Sequence, residues 1–229
     1  MRNMGFRALT VGLLLALVPC PAVGQDALEL LTNAAFIPSD KATALSRIDR
    51  ALKQAEVAVA RNPGDQEAHL QRALAISYRG KLARDRSDVM TAREGFEAAV
   101  VANPRNAEAQ MALAGWHLGA VIEVGPLVAR AVLGASKTKG FQALDRALAL
   151  GGDRASFPAL ASLHRILLDP ADVAGALRLA EVAMKASATT PIDRMLQRQI
   201  ATLLPLLRSG DGKAAAKTAK LLLPFGRVR

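Results

Sequence analysis

The sequence is poor in aromatic residues, cysteine and histidine. Of its 229 residues only 3% are aromatic, and there are one tryptophan, one tyrosine, one cysteine and three histidines. One cysteine excludes an intramolecular disulfide and a cysteine-based zinc site, and three separated histidines leave little material for a histidine metal cluster. We therefore expect no metal and no cofactor. Hydrophobic residues make up 51% of the chain, which excludes a disordered protein.

The chain also lacks a hydrophobic run long enough to span a bilayer. Residues 8–18 are apolar, but these 11 residues fall short of the roughly 20 that a membrane-spanning helix needs. Arg2 and Arg7 precede this run and small residues at 22–24 follow it, an order typical of a secretory signal peptide. We expect cleavage after Gly24, export to the periplasm or cell envelope, and no transmembrane anchor in the mature form.

Acidic residues are fewer than basic ones. The chain carries 30 Lys and Arg against 20 Asp and Glu, and removal of residues 1–24 still leaves a net charge of +8. A basic exported protein meets anionic envelope surfaces and acidic proteins, and we expect a protein or peptide partner. Nucleic-acid binding needs aromatic platforms among basic residues, whereas Tyr78 is the only aromatic between Arg72 and Arg93. We therefore expect no nucleic-acid partner.

Alanine and leucine dominate, which favours helices. Apolar residues step by 3 and 4 through residues 41–61, which predicts a helix with one buried face. Asp169 and Thr190 are each followed at once by proline, which predicts two helix starts. Helices are also predicted at 192–208 and 214–223. The prediction is an all-α protein with about ten helices.

One unit of sequence occurs twice. Its two copies, 41 residues apart, are Ala51, Ala58, Asn62 and Pro63, and then Ala92, Ala99, Asn103 and Pro104. If the unit is a pair of helices, small residues at this spacing let the two helices approach closely, and the proline ends the second of them.

At these residues the chain resembles the tetratricopeptide repeat family, whose repeats have about 34 residues. Ala92, Phe96, Ala99 and Pro104 stand at the family's offsets. The resemblance implies an α-solenoid of antiparallel helix pairs, a superhelix, in one domain over 25–229. The match is best over 41–122 and degenerate over 139–229.

An insertion at residues 124–138 interrupts the repeat. It is apolar around Arg130, which must reach solvent, Glu123 or a bound anion. The segment is either a lid over a binding groove or a plug that fills a packing defect.

The resemblance also implies that the first helix of each repeat lines a concave, peptide-binding groove. The groove positions of this chain are mostly apolar, which suits a hydrophobic helix or a lipid-like ligand. Trp116 is either a groove wall or a core residue. The candidate partner-binding residues are Leu70, Leu74, Tyr78, Met111, Trp116, Leu118 and Arg130.

No catalytic constellation is present in the sequence. His117 and Glu123 lie six residues apart, which separates them around a helix, and His164 has no second histidine at i+4. We expect a non-enzymatic exported scaffold or adaptor that binds another envelope protein or a transporter component through the groove. The alternative is a periplasmic binding protein for a small hydrophobic or anionic ligand.

The signal-peptide prediction is tested at the amino terminus. N-terminal sequencing of the protein recovered from cells should begin at Gln25, because the small residues before it suit signal peptidase. Recovery of an intact Met1 terminus in the membrane fraction would contradict the prediction.

Overall fold

The protein is all-helical in the computed structural model, which describes residues 23–37 and 40–228. This confirms the all-α prediction. Over those residues the one β-type contact is an isolated bridge between Arg154 and Ser187. Residues 1–22, which carry most of the predicted signal peptide, lie outside the described residues. No helix in the described part of the chain combines the length and apolar character needed to cross a membrane.

The described residues form eleven α-helices and one π-helical turn. They are α1 (Val23–Phe36), α2 (Lys41–Arg61), α3 (Gln66–Ala83), α4 (Arg86–Ala102), α5 (Ala107–Val124), α6 (Pro126–Val128), which continues into the π-helical turn Ala129–Leu133, α7 (Lys137–Leu150), α8 (Ser156–Leu168), α9 (Val173–Lys185), α10 (Pro191–Arg208) and α11 (Gly212–Leu222). The helix predicted at 41–61 is confirmed, with Ile48, Leu52 and Ala55 on its buried face.

Helices pack mainly against their neighbours in the chain. α1 packs on α2, α3 on α4, α5 on α7 and α8 on α9. A second set of contacts joins α1 to α3, α3 to α5, α5 to α8 and α8 to α10. We call α1, α3, α5, α8 and α10 the first helices, and the surface on which they meet the first-helix face.

Short polar side chains begin most helices. Each cap accepts a hydrogen bond from a backbone N–H of the first turn, as do Asp40, Asp65, Asp85, Asn106, Ser136, Asp172, Thr190 and Asp211. The predicted start at Thr190 is confirmed. The predicted start at Asp169 is wrong, because the Asp169 N–H still bonds to the Arg165 carbonyl and closes α8. Helix α9 begins three residues later, with Asp172 as its cap.

Small residues set the distance between paired helices. Ala92 is fully buried on α4, and Ala99, further along the same helix, is half-buried. A Cβ atom on Gly95 would lie only 2.7 Å from the Ala73 Cβ on α3. The α3–α4 contact therefore has no room for one more methyl group.

Two Gly→Ala substitutions should change stability in opposite directions. Gly95→Ala would overlap Ala73 and should lower the free energy of unfolding by about 1–3 kcal/mol. Gly115→Ala, inside α5, meets no atom within 4 Å and should raise it by about 0.5–1 kcal/mol through helix propensity. Urea titrations of the two variants measure both effects. Changes of the same sign would contradict the close α3–α4 packing.

Candidate functional site

The candidate residues of α3 lie on one side of that helix. Leu70, Leu74 and Tyr78 recur every fourth residue; Leu70 is buried, and the other two are half-buried against the core. The Tyr78 ring meets the Phe225 ring edge-on, with centroids 4.9 Å apart. Burial raises the pKa of Tyr78. Tyr78 therefore lies beneath another part of the same chain, and Leu70 and Leu74 take part in the core packing.

The candidate residues of α5 are packed between helices. The Trp116 indole N–H donates to the Val89 carbonyl of α4 at 2.8 Å, and only 6% of the residue is exposed. Leu118 is fully buried against α7, where a Cβ on Gly140 would overlap it. Met111 is half-buried beside the same helix. The structure gives Trp116 and Leu118 a packing role, with no surface for a partner.

The last helix and the residues after it contact four of the five first helices. Helix α11 packs on α8 and α10. The six residues that follow, 223–228, which we call the C-terminal tail, reach back to α1 and α3. The Phe225 N–H donates to the Ala35 carbonyl at 2.7 Å, and the Arg227 guanidinium donates to the Phe36 carbonyl at 3.0 Å.

Polar contacts hold the tail on both sides of Phe225. The Lys81 ammonium, at the end of α3, donates to the Pro224 carbonyl at 3.5 Å and lies 6.0 Å from the Phe225 ring centroid. With its amide nitrogen facing Leu222, the Gln199 side chain of α10 donates to the Leu222 carbonyl and accepts from Arg227, both at 3.0 Å. The tail thus bridges helices from the two ends of the described chain.

Phe225 adopts a backbone conformation that is uncommon for its residue type. Its φ is +66°, in the left-handed region. This strain is tolerated because the ring is buried, with 8% of the residue exposed, and the N–H is hydrogen-bonded. Sequence analysis missed the tail. The only local signal was a phenylalanine between Pro224 and Gly226 in a chain with few aromatics.

The insertion lies beside α4. The Arg86 guanidinium donates to the Val132 carbonyl at 3.0 Å, and the Arg93 guanidinium donates to the Leu133 carbonyl at 3.2 Å. Arg93 also lies 5.7 Å from the Trp116 ring centroid, which links the insertion to α5. Arg130 is exposed and therefore reaches solvent.

Glu123, which the sequence offered as a partner for Arg130, pairs instead with Lys81 at 3.1 Å. The apolar side chains of the insertion fall into two groups: Leu127 is 84% exposed, whereas Ala129 and Ala135 are fully buried and Leu133 packs against the core.

A polar cluster that sequence analysis also missed joins α8 and α10. The Asp193 carboxylate is fully buried and accepts from the Thr190 hydroxyl at 2.6 Å and from the Ser156 N–H at 3.1 Å. Arg154 pairs with both Asp193 and Glu108 of α5. Burial opposes ionisation of Asp193, yet these hydrogen bonds and the Arg154 charge hold its pKa below the usual value. Both oxygens of the Asp193 carboxylate accept hydrogen bonds from other parts of the protein, so the cluster is structural.

The described residues offer no grouped ligands for a metal ion. No set of three His, Cys, Asp or Glu side chains within 23–37 and 40–228 could hold a metal ion. His117 and His164 are both buried, and burial lowers the pKa of each to about 4. Two surface depressions, of about 270 and 180 Å³, lie along α9. They are smaller than the ligand cavities of about 300–1,000 Å³ typical of small-molecule sites.

Comparison with known proteins assigns no family to the chain. No protein-family model matches the sequence, and no curated protein is significantly similar to it. Any functional assignment therefore depends on the geometry described above.

The two buried histidines should make stability fall in acid. An unfolded histidine binds a proton near pH 6.5, whereas His117 and His164 stay neutral in the fold down to about pH 4. Protonation thus favours the unfolded chain as pH falls from about 6.5 to 4, and His164 alone should cost about 2 kcal/mol between pH 7 and pH 5.

Urea titrations at the two pH values measure this loss. His164→Gln should reduce the pH dependence by that amount. Ser162→Ala, a buried polar control on the same helix, should lower stability equally at both pH values. A wild-type pH dependence in His164→Gln would contradict the assignment.

Proposed function

We propose that the chain is a non-enzymatic helical-repeat scaffold of the cell envelope that binds a protein partner on its first-helix face. In this proposal the C-terminal tail occupies the face in the free protein, and a segment of the partner replaces it. The proposal rests on the contact between the Phe225 and Tyr78 rings. The repeat pattern places Tyr78 in the groove.

The pattern of helix contacts supports a tetratricopeptide-like superhelix. Successive helices pack in pairs, and the first helix of each pair also contacts the first helix of the next. A solenoid of antiparallel pairs produces both sets of contacts, because each repeat touches only its neighbours. In such an architecture the first helices share the concave surface, which is the surface that the tail covers.

The chemistry of the tail supports a peptide as the natural occupant of this face. The tail binds through a hydrogen bond from the Phe225 N–H to the Ala35 carbonyl, one from its own Arg227 side chain to the Phe36 carbonyl, one aromatic anchor and a contact from the Lys81 ammonium. Backbone pairing with one buried aromatic anchor is a common mode of peptide recognition. A partner segment that places an aromatic ring against Tyr78 and a backbone N–H at the Ala35 carbonyl would satisfy the same groups.

Two observations support the proposed location and role. The basic, apolar and small residues of positions 1–24 support export. The grouped titratable side chains Arg154, Asp193 and Glu108 pair with one another between helices, which supports a scaffold role. The small-ligand alternative gains no support from the shallow depressions along α9.

Opening the tail should let the face bind a peptide from solution. In the full chain, Phe225→Asp places a charge in the apolar contact with Tyr78 and should release the tail. A fluorescent peptide of residues 221–228 should then bind this variant at least ten-fold more tightly than wild type, in which the attached tail competes at a high effective concentration. Fluorescence anisotropy measures the affinity.

Two controls make the result specific. Leu221→Ser, an exposed position on α11, should leave peptide binding as weak as in wild type. A peptide carrying Phe225→Ala should not bind the opened variant. If Phe225→Asp keeps its helical circular dichroism and melting transition but binds no peptide, the proposal is wrong.

A further inference from the structure

The insertion presents an apolar tip to solvent. We define the tip as residues 124–133, which include α6 and the π-helical turn. Leu127 is 84% exposed, and Val124, Val128 and Val132 are each between 45% and 49% exposed. Exposed apolar residues are ordinary when scattered singly, but here four lie within nine residues, which concentrates apolar surface in one short segment.

The backbone of the tip is already hydrogen-bonded within the protein. The Ala129 N–H bonds to the Gly125 carbonyl, the Gly134 N–H to the Arg130 carbonyl, and the Ala135 N–H to the Ala129 carbonyl, at 3.0–3.1 Å. Arg86 and Arg93 bind the last two carbonyls of the tip. Entry into hydrocarbon is costly for unpaired backbone groups, and these pairings remove much of that cost.

Basic side chains surround the tip. Arg130 projects from the tip itself, Arg86 touches its backbone, and Arg84 lies in the adjoining turn; all three are exposed. Within the described ranges none of the three forms an ion pair, whereas two nearby acids do: Asp88 with Arg79, and Glu123 with Lys81. The third nearby acid, Asp85, lies between Arg84 and Arg86 and caps α4, so it offsets one of the three positive charges. The local excess of charge is therefore positive.

We propose that this tip binds the surface of an anionic lipid bilayer, with Leu127 and Val128 among the acyl chains and Arg84, Arg86 and Arg130 at the lipid phosphates. Apolar side chains combined with basic neighbours are the composition of interfacial membrane anchors. The shape also favours a bilayer over a protein, because a short projecting turn offers little area for a protein interface but enough to enter the headgroup boundary. This site does not involve the first-helix face.

The test uses a fluorophore placed at the tip of the full chain. Val128→Cys, in a Cys20→Ser background, is labelled with an environment-sensitive dye and mixed with vesicles of 30% phosphatidylglycerol in phosphatidylcholine. The dye should shift to the blue with these vesicles, not with pure phosphatidylcholine, and the shift should reverse in 0.5 M NaCl. The same dye at Val101→Cys, also strongly exposed but outside the tip, should not shift.

Affinity measurements with the same vesicles test the two kinds of contact. Leu127→Ser should weaken binding about ten-fold or more through lost apolar transfer. Arg130→Ala should weaken it about five-fold, the effect of one basic residue at an anionic surface, while Arg105→Ala, exposed in the α4–α5 turn, should have little effect. Because all variants carry residues 8–18, any lipid binding by that apolar run is common to them.

Several outcomes would overturn the proposal. One is an absent shift at position 128; another is an equal shift at position 101. A third is wild-type affinity in both Leu127→Ser and Arg130→Ala. Retention on immobilised polyglutamate that depends on Leu127, without any shift on vesicles, would assign the tip to an acidic protein and would also overturn it.

Discussion

The structure depends on close approach between helices, which the chain achieves with small residues in place of large aromatic ones. Gly95 meets Ala73 and Gly140 meets Leu118 with no space for an added methyl group. Helices at this separation gain dispersion contacts along their whole length, since packing density and not side-chain size sets the number of contacts. Aromatic residues are few, and two of them act as anchors: Trp116 ties α5 to α4, and Phe225 ties the tail to α3.

Sequence analysis succeeded where the determinants are local. Apolar spacing gave α2 its bounds, and the Thr190 cap gave α10 its start, because periodicity and capping act within a few residues. The Asp169 start was wrong for a related reason. Two aspartates three residues apart both satisfy the capping rule, and the choice between them depends on where α8 stops. Groove positions followed from the repeat register, yet Leu70, Trp116 and Leu118 are buried by contacts that no local pattern contains.

The position of the tail depends on long-range contacts that sequence patterns do not predict. The Phe225 N–H is hydrogen-bonded to the Ala35 carbonyl across 190 positions of sequence, and neither residue belongs to a motif that predicts contact with the other. The same holds for Asp193, whose capping role is visible in the sequence while its contacts with Ser156 and Arg154 are not. Both features join segments that lie far apart in the sequence. The insertion was recognised from spacing, but its exposed side chains became evident only in three dimensions.

The contact between Phe225 and Ala35 also bears on how the molecule comes apart. An open repeat array loses its terminal units independently, because each unit is held only by its neighbour. Here the last segment is bound to the first helix, so fraying at either extremity breaks contacts at both. The chain should consequently unfold as one cooperative unit, as compact domains do, and a truncation of a few carboxyl-terminal residues should loosen α1 at the opposite extremity.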